Sequence, residues 1–561
     1  MTAFPALATE FASLPSMRRW VLVLLLACGG GETPPAADLG PSSASPSAGT
    51  ERPEGCPAQA PAPSPLPHVT ARHETLAYWI ERSASYGDPD ATILSAGELR
   101  DHARALSTGA DPARQPDLGT PIDPESLERE LRERLAYVAD KLRSGEYVER
   151  DGSRATEASL AALVLPSPLP ATRPELFVVV EPVSMRCSPR AESFYTPSLD
   201  LAFDRNACSL ARAQEPIERL ARWPNGSWLA RTRYALGWID DDAVLAPVPS
   251  EHREAVLGAR VRLDAPVETV RLTVPEGTLV APASTGGALI ATRGGLVVIP
   301  ARATPTERPL TRRAFLERAF GLLGTPYGWG GREGGRDCSR YLLDIFADFN
   351  LPIPRHSARQ ALAGTYAVDV EGLGPTEKLL LIETAQRKGV VLLHFPGHIM
   401  LYLGRDDAGR PYALHSFSEY VEPCAGTNDG EGRPLETLRR VDRVAVSDLS
   451  LGEGSSRRDF LSRITRVVVF GAAPGPELRG ASTLRPAALS APPARCEDSV
   501  DARVFRMPFR PNTEHPMRVV VSTSNDPGPV ALTLFDPAGR VVPTTTRELG
   551  GPPHAYWTEV E

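Results

Sequence analysis

The spacing of apolar residues changes along this chain, and each change marks a structural boundary. Between Pro124 and Tyr147, Leu127, Leu131, Leu135, Val138 and Leu142 recur every three or four positions, the stripe of an amphipathic helix. Upstream, Ser95 with Glu98 three residues later makes a capping box that opens a helix toward Leu106. Residues 68–173 therefore predict a helical N-terminal region. From 174 to 250 the apolar runs shorten to LFVVVEPVS, IERLARW, SWLARTR and ALGWIDDDAV, separated by Pro, Asn and Gly turns. VRLTVP, GTLVAPAS, ALIATR and LVVIP repeat that pattern over 251–308, and together they predict two small β barrels. Helical and strand patterns mix over 309–471. MRVVVSTS and VALTLFDPAGRVV make 496–561 a β-rich module, expected to be incomplete at AYWTEVE. Residues 29–67 and 472–495 carry Pro, Ala, Ser and Gly with few large apolar side chains, and predict a disordered tether and a linker. The expected fold class is α+β and multi-domain.

Composition changes this picture little. Apolar residues at 42% and charged residues at 23% are ordinary for a globular chain, whereas 56 prolines are about twice typical usage and fit the linkers. A formal charge of −8, with no basic cluster interleaved with aromatics, argues against nucleic acid as a partner. The N-terminus changes more. Arg18 and Arg19 precede the apolar run Trp20 to Ala27, then Cys28 and a glycine run, the pattern of a secretory signal over residues 1–28. The run is too short for a permanent membrane span. Leu25-Leu26-Ala27-Cys28 resembles the bacterial lipobox, which implies lipidation of Cys28 and anchoring to a membrane. An exported chain meets an oxidising space, so its other cysteines become bridge candidates. Cys187 and Cys208 fall within one short β region and are the first pair expected; the pairing of Cys56, Cys424 and Cys496 stays open.

The candidate chemistry lies in the mixed region. From Cys338, apolar residues Tyr341, Leu342, Ile345, Phe346 and Phe349 recur at helical spacing, which puts Cys338 in a first helical turn with Asp337 at or beside the cap. Unpaired N–H groups and the helix dipole favour a thiolate there. In GHIMLYLG, alternation places His398, Met400 and Tyr402 on one strand face; RDDAG is a turn, and PYALHSF returns as a second strand. If Gly404 faces Pro411, then Met400 faces His415, His398 faces Phe417, and the two histidines become diagonal neighbours. A slip of one residue separates them. The set supplies a nucleophile, a base and a group that orients the base. His394 and His398 are separated by Phe-Pro-Gly, with no matching carboxylates, so no metal site is expected.

GTPYGWGG, then RDCS, LPIPRHS and PGHIMLYLG resemble the NlpC-type cell-wall cysteine peptidases. The resemblance covers about Leu310 to Gly471, and the W-x(n)-G-W-I arrangement ending at Ile239 resembles bacterial SH3-like domains. It implies a papain-like α+β catalytic domain over 309–471, preceded by SH3-like domains at 174–250 and 251–308. It also implies hydrolysis of the γ-D-glutamyl to diamino-acid bond of peptidoglycan stem peptides, with no cofactor. By position Cys338 becomes the nucleophile, His398 the general base, His415 its orienting group and Tyr327 the residue beside the oxyanion. Asp337 and Ser339 become substrate-binding, and Tyr234 a candidate to close the peptide pocket. Arg340 departs from the glycine many members carry and is expected to alter the pocket rim. The implied location is a bacterial membrane facing the periplasm, the outer membrane first. Three other readings remain: an amidase or acyltransferase of the same fold, a non-catalytic murein-binding lipoprotein, and a chain whose working part is the C-terminal β module of 496–561, recruiting a partner protein.

Overall fold

The computed structural model describes residues 55–108, 117–269, 272–284, 286–429 and 432–472, with Arg52 and the backbone of strands at 20–26 and between 503 and 560. Cys28, Cys496 and most of the tether and linker lie outside the described residues. Contacts divide the chain into two units, one of residues 38–367 and 382–473, the other of 1–37, 368–381 and 474–561. In the latter, Trp20–Leu26 is a strand that pairs antiparallel with Arg503–Phe509 and with Val530–Phe535.

The rest of the fold belongs to the larger unit. The helix Pro124–Ser144 starts where Asp123 accepts a hydrogen bond from the Ser126 amide and ends at Gly145 in the left-handed region (φ 79°). Its stripe packs on Leu220, Trp223, Leu229 and Trp238 of the first β module. That module is one antiparallel sheet in the order Leu245–Pro247, Glu175–Val179, Pro216–Arg222, Trp228–Arg231, Leu236–Ile239, Val183–Arg186 and Ala207–Ala211. The Cys187–Cys208 disulfide closes it. The second module runs Gly295–Ile299, Ala288–Thr292, Leu279–Pro282, Val261–Leu263 and Ala303–Pro305 around Leu263, Val280 and Ile290.

The third sheet runs Gln59–Pro61, Pro434–Asp448, Pro411–Asn428, His398–Arg405, Gly389–Phe395 and Arg466–Gly471. Against it lies the helix Cys338–Ala347, whose Phe346 ring meets Phe315 at 4.9 Å and Phe470 at 4.3 Å. Residues expected to continue the tether are fixed here instead. Gln59–Pro61 pairs in parallel with Leu438–Arg440, and Cys56 is disulfide-bonded to Cys424. Ordering comes from backbone pairing and a cross-link, neither of which composition registers. The region read as one helical unit also divides. The helix Leu76–Ser83 packs on this third sheet and its neighbouring helix Arg312–Phe320, and Pro124–Ser144 packs on the first β module. The Ser95 capping box forms, with Ser95 N donating to Glu98 at 2.8 Å and Glu98 N to Ser95 Oγ at 3.2 Å.

Candidate active site

Cys338 is the first residue of its helix, and Asp337 caps it by accepting from the Arg340 amide at 2.9 Å. Asp337 also accepts from the Gly330 amide at 3.1 Å, from Ser339 Oγ at 3.1 Å and from the Arg355 guanidinium at 2.9 Å. Arg355 in turn donates to Ser339 Oγ at 2.8 Å and to Ser209 Oγ of the first β module at 3.0 Å. One carboxylate thus fixes the start of the helix Cys338–Ala347, the glycine turn before it and an arginine from the LPIPRHS segment.

The glycine turn is tight for a reason. Gly330 (φ 62°) and Gly331 (φ 91°) lie against the first β module, where an added Cβ would meet Ala207 O at 2.7 Å and Leu210 Cβ at 2.5 Å. Trp329 closes the contact by donating its indole N–H to Asp204 O at 2.8 Å.

The histidines approach from the sheet. Leu401 pairs with Leu414 and Tyr402 with Ala413, the register that keeps His398 and His415 on one face. Nearer the turn the expected pairing fails. Gly404 faces Tyr412 and Arg405 faces Pro411, because a bulge at Leu403 adds one residue to that strand. The bulge lies beyond the histidines and leaves their juxtaposition intact. Nε2 of His398 is 2.7 Å from Nδ1 of His415, and Nε2 of His415 is 2.8 Å from Ser447 Oγ. His415 is fully buried and stacks on Phe417 at 4.1 Å with its ring nearly parallel; Phe460 meets it edge-on at 5.2 Å. The helix that Cys338 opens packs against both strands that carry the histidines.

The NlpC/P60 family model matches residues 324–450. This segment is an NlpC/P60 domain. Among solved structures, the chain is similar to an NlpC/P60 endopeptidase from Photobacterium damselae subsp. piscicida, with 16% identity and a TM-score of 0.51 over 69% of this chain and 96% of that one. It is also similar to an NlpC/P60 family protein from Bacillus cereus ATCC 10987, with 14% identity and a TM-score of 0.34 over 53% of this chain and 100% of that one. The first likeness shows the fold. No curated protein sequence matches the chain.

Electrostatics in the NlpC/P60 domain differ from the sequence expectation. Burial, with the Asp337 carboxylate second, pushes the Cys338 thiol up to about 12; the Ile399 and Ser339 amides and Arg355 oppose it without prevailing. Burial, with Arg463 second, lowers His398 to about 3, and burial together with His398 holds His415 well below its usual range. The helix start alone does not make a thiolate, because burial of the sulfur, with the capping carboxylate beside it, disfavours the charged form. Both shifts favour the neutral thiol and the neutral imidazole.

The other expected residues are placed as follows. Tyr327 is anchored by its amide to Asp442 O at 2.9 Å, and Asp337 and Cys338 both raise its hydroxyl, burial being the larger cause. Its hydroxyl has no hydrogen-bond partner among the described residues. Ser339 is buried and committed to Asp337 and Arg355. Tyr234 is buried too, its hydroxyl accepting from Arg340 at 2.7 Å and donating within reach of Glu215 and Leu210 O. Arg340 is 2% exposed and leaves the pocket rim altogether. Its guanidinium reaches Asp344 at 2.7 Å and Glu215 at 2.5 Å. Sequence reading assigned no role to Arg355, although its motif was noticed. It named Phe417 only as a register partner and missed Ser447 and Phe460, which are single residues in unremarkable strand and helix contexts.

Proposed function

We propose that this chain is a cell-wall cysteine endopeptidase that cleaves the γ-D-glutamyl to diamino-acid bond of murein stem peptides. The observation that carries the reading is the file of polar groups from His398 through His415 to Ser447, on strands packed against the helix that Cys338 opens. For His398 to take the thiol proton at Nδ1, its own proton must sit on Nε2 and be donated to His415 Nδ1. His415 then carries its proton on Nε2, toward Ser447 Oγ. Cys338 Sγ attacks the amide carbon as its proton passes to His398, which gives it to the leaving amine. The thioester is hydrolysed by a water that His398 deprotonates. The free amides of the first helical turn and the Tyr327 hydroxyl face the developing oxyanion.

The two β modules serve in this reading as SH3-like domains that meet murein, with Arg355 and Asp337 forming the polar wall for the peptide. Cys28 would carry the lipid, on the periplasmic side of an outer membrane. The test is release of soluble fragments from dye-labelled murein by the full chain in detergent, beside a Cys338→Ala variant. Release by the first and none by the second supports a wall peptidase. Equal release by both, or none by either, removes it.

A further inference from the structure

The helix Cys338–Ala347 has a second face. At 100° per residue, Arg340, Leu343, Asp344 and Ala347 lie on the side opposite Cys338. There the first β module, the second and the NlpC/P60 domain enclose a cavity of about 340 Å³, within the size range of small-ligand sites. Arg212, Arg233, Arg260 and Arg318 line it, with Glu215 and Asp344 as its carboxylates.

The charges around it do not balance. Arg318 has Asp348 at 3.0 Å and Arg233 has Asp117 at 3.7 Å, both outside the lining. Glu215 and Asp344 must then serve four guanidiniums. Asp344 holds Arg212 at 2.5 Å, Arg336 at 2.8 Å and Arg340 at 2.7 Å, and Glu215 holds Arg340 at 2.5 Å. Arg260 has no carboxylate within ion-pair distance among the described residues. It donates only to the carbonyls of Gln214, at 2.8 Å, and Leu279. Burial lowers its guanidinium to about 10 even with Glu215 nearby. A partly desolvated charge is stable when matched, and Arg260 has no carboxylate of its own on the cavity side among the described residues.

We infer that this cavity is a binding site for a small divalent oxyanion, a phosphate or a dicarboxylate, held by Arg260 with Arg212 and Arg233 beside it. The cavity lies on the face of the helix Cys338–Ala347 opposite Cys338. Planar guanidiniums pair with either anion through two parallel hydrogen bonds.

Calorimetric titration of the full chain with inorganic phosphate, and separately with glutarate, at ionic strength held constant with chloride, tests the inference. Saturable binding is expected, weakened at least about tenfold in Arg260→Gln, the loss of one charge-assisted hydrogen-bond pair. Thr278→Trp fills the cavity without altering its charge and is expected to abolish binding, which keeps the test open if Arg260→Gln does not fold. Binding of phosphate alone or of glutarate alone assigns the anion class. No saturable binding of either, or full binding in a folded variant, overturns the inference.

Discussion

Nε2 of His398 lies 2.7 Å from Nδ1 of His415, whose opposite nitrogen lies 2.8 Å from Ser447 Oγ. This file engages Nε2 of His398 and leaves Nδ1 as the nitrogen open to a reacting partner. His415 is fully buried between Phe417 and Phe460, so its ring cannot turn to find another partner.

Removing the end of the file should therefore reach the cysteine. Ser447→Ala leaves a buried ring nitrogen unsatisfied, a loss of about 1–3 kcal/mol. If that falls on the base's orientation, kcat drops roughly tenfold to a hundredfold with KM little changed. Steady-state kinetics on a stem-peptide substrate decide it; an unaltered kcat rules out the positioning role of Ser447.

The resting thiol gives a second expectation. Because burial and Asp337 push Cys338 up to about 12, its thiolate fraction climbs with pH across the whole accessible range. Alkylation by iodoacetamide should accelerate about tenfold per pH unit from 6 to 10, without a plateau. A rate that levels off below pH 8 would reveal a preformed thiolate–imidazolium pair instead.

The buried histidines also set acid stability. Above pH 6.5 His398 is neutral both folded and unfolded and contributes no pH dependence. Between 6.5 and about 3 the unfolded chain takes up a proton that folded His398 refuses, so stability falls as pH falls. The slope from this one group approaches about 1.4 kcal/mol per pH unit. Urea midpoints measured from pH 7 to 4 should decline, and His398→Gln should flatten the decline; parallel curves for the two proteins would exclude this origin.

How much of this was legible in the sequence depended on whether the information was local. The start of the helix Cys338–Ala347 was readable because Asp337-Cys338 is followed by apolar residues at helical spacing. The histidine pair was readable because strand alternation and a short turn nearly fix a register, and the bulge at Leu403 displaced only the turn end. The thiol's charge state was not. It depends first on burial of the sulfur and then on Asp337 beside it, with Arg355 shared with Ser339 and Ser209, contacts made across the fold. Arg340 was misplaced for a related cause. A long charged side chain is normally read as exposed, and nothing near it in sequence announces Glu215 as its partner. The Cys56–Cys424 bridge, closing residues from the tether onto the distal hairpin, is equally invisible to local pattern.

Arg340 offers a stability test of that buried cluster. Arg340→Ala strands Glu215 and removes one of the guanidiniums on Asp344, and breaking such a pair costs about 3–5 kcal/mol. Urea unfolding should show a loss of that order. A change under about 1 kcal/mol would mean the two carboxylates are adequately served by Arg212, Arg336 and solvent.

The central claim is that Cys338 and His398 cleave one defined bond, and product mass spectrometry reads it directly. The chain lacking residues 1–28 is incubated with L-Ala-γ-D-Glu-diaminopimelate and, in parallel, with intact murein, alongside Cys338→Ala. The account predicts free diaminopimelate and L-Ala-D-Glu from the tripeptide, or the equivalent scission in murein, and neither with the variant. Cleavage at a different bond, cleavage that survives Cys338→Ala, or no cleavage of either substrate would contradict it.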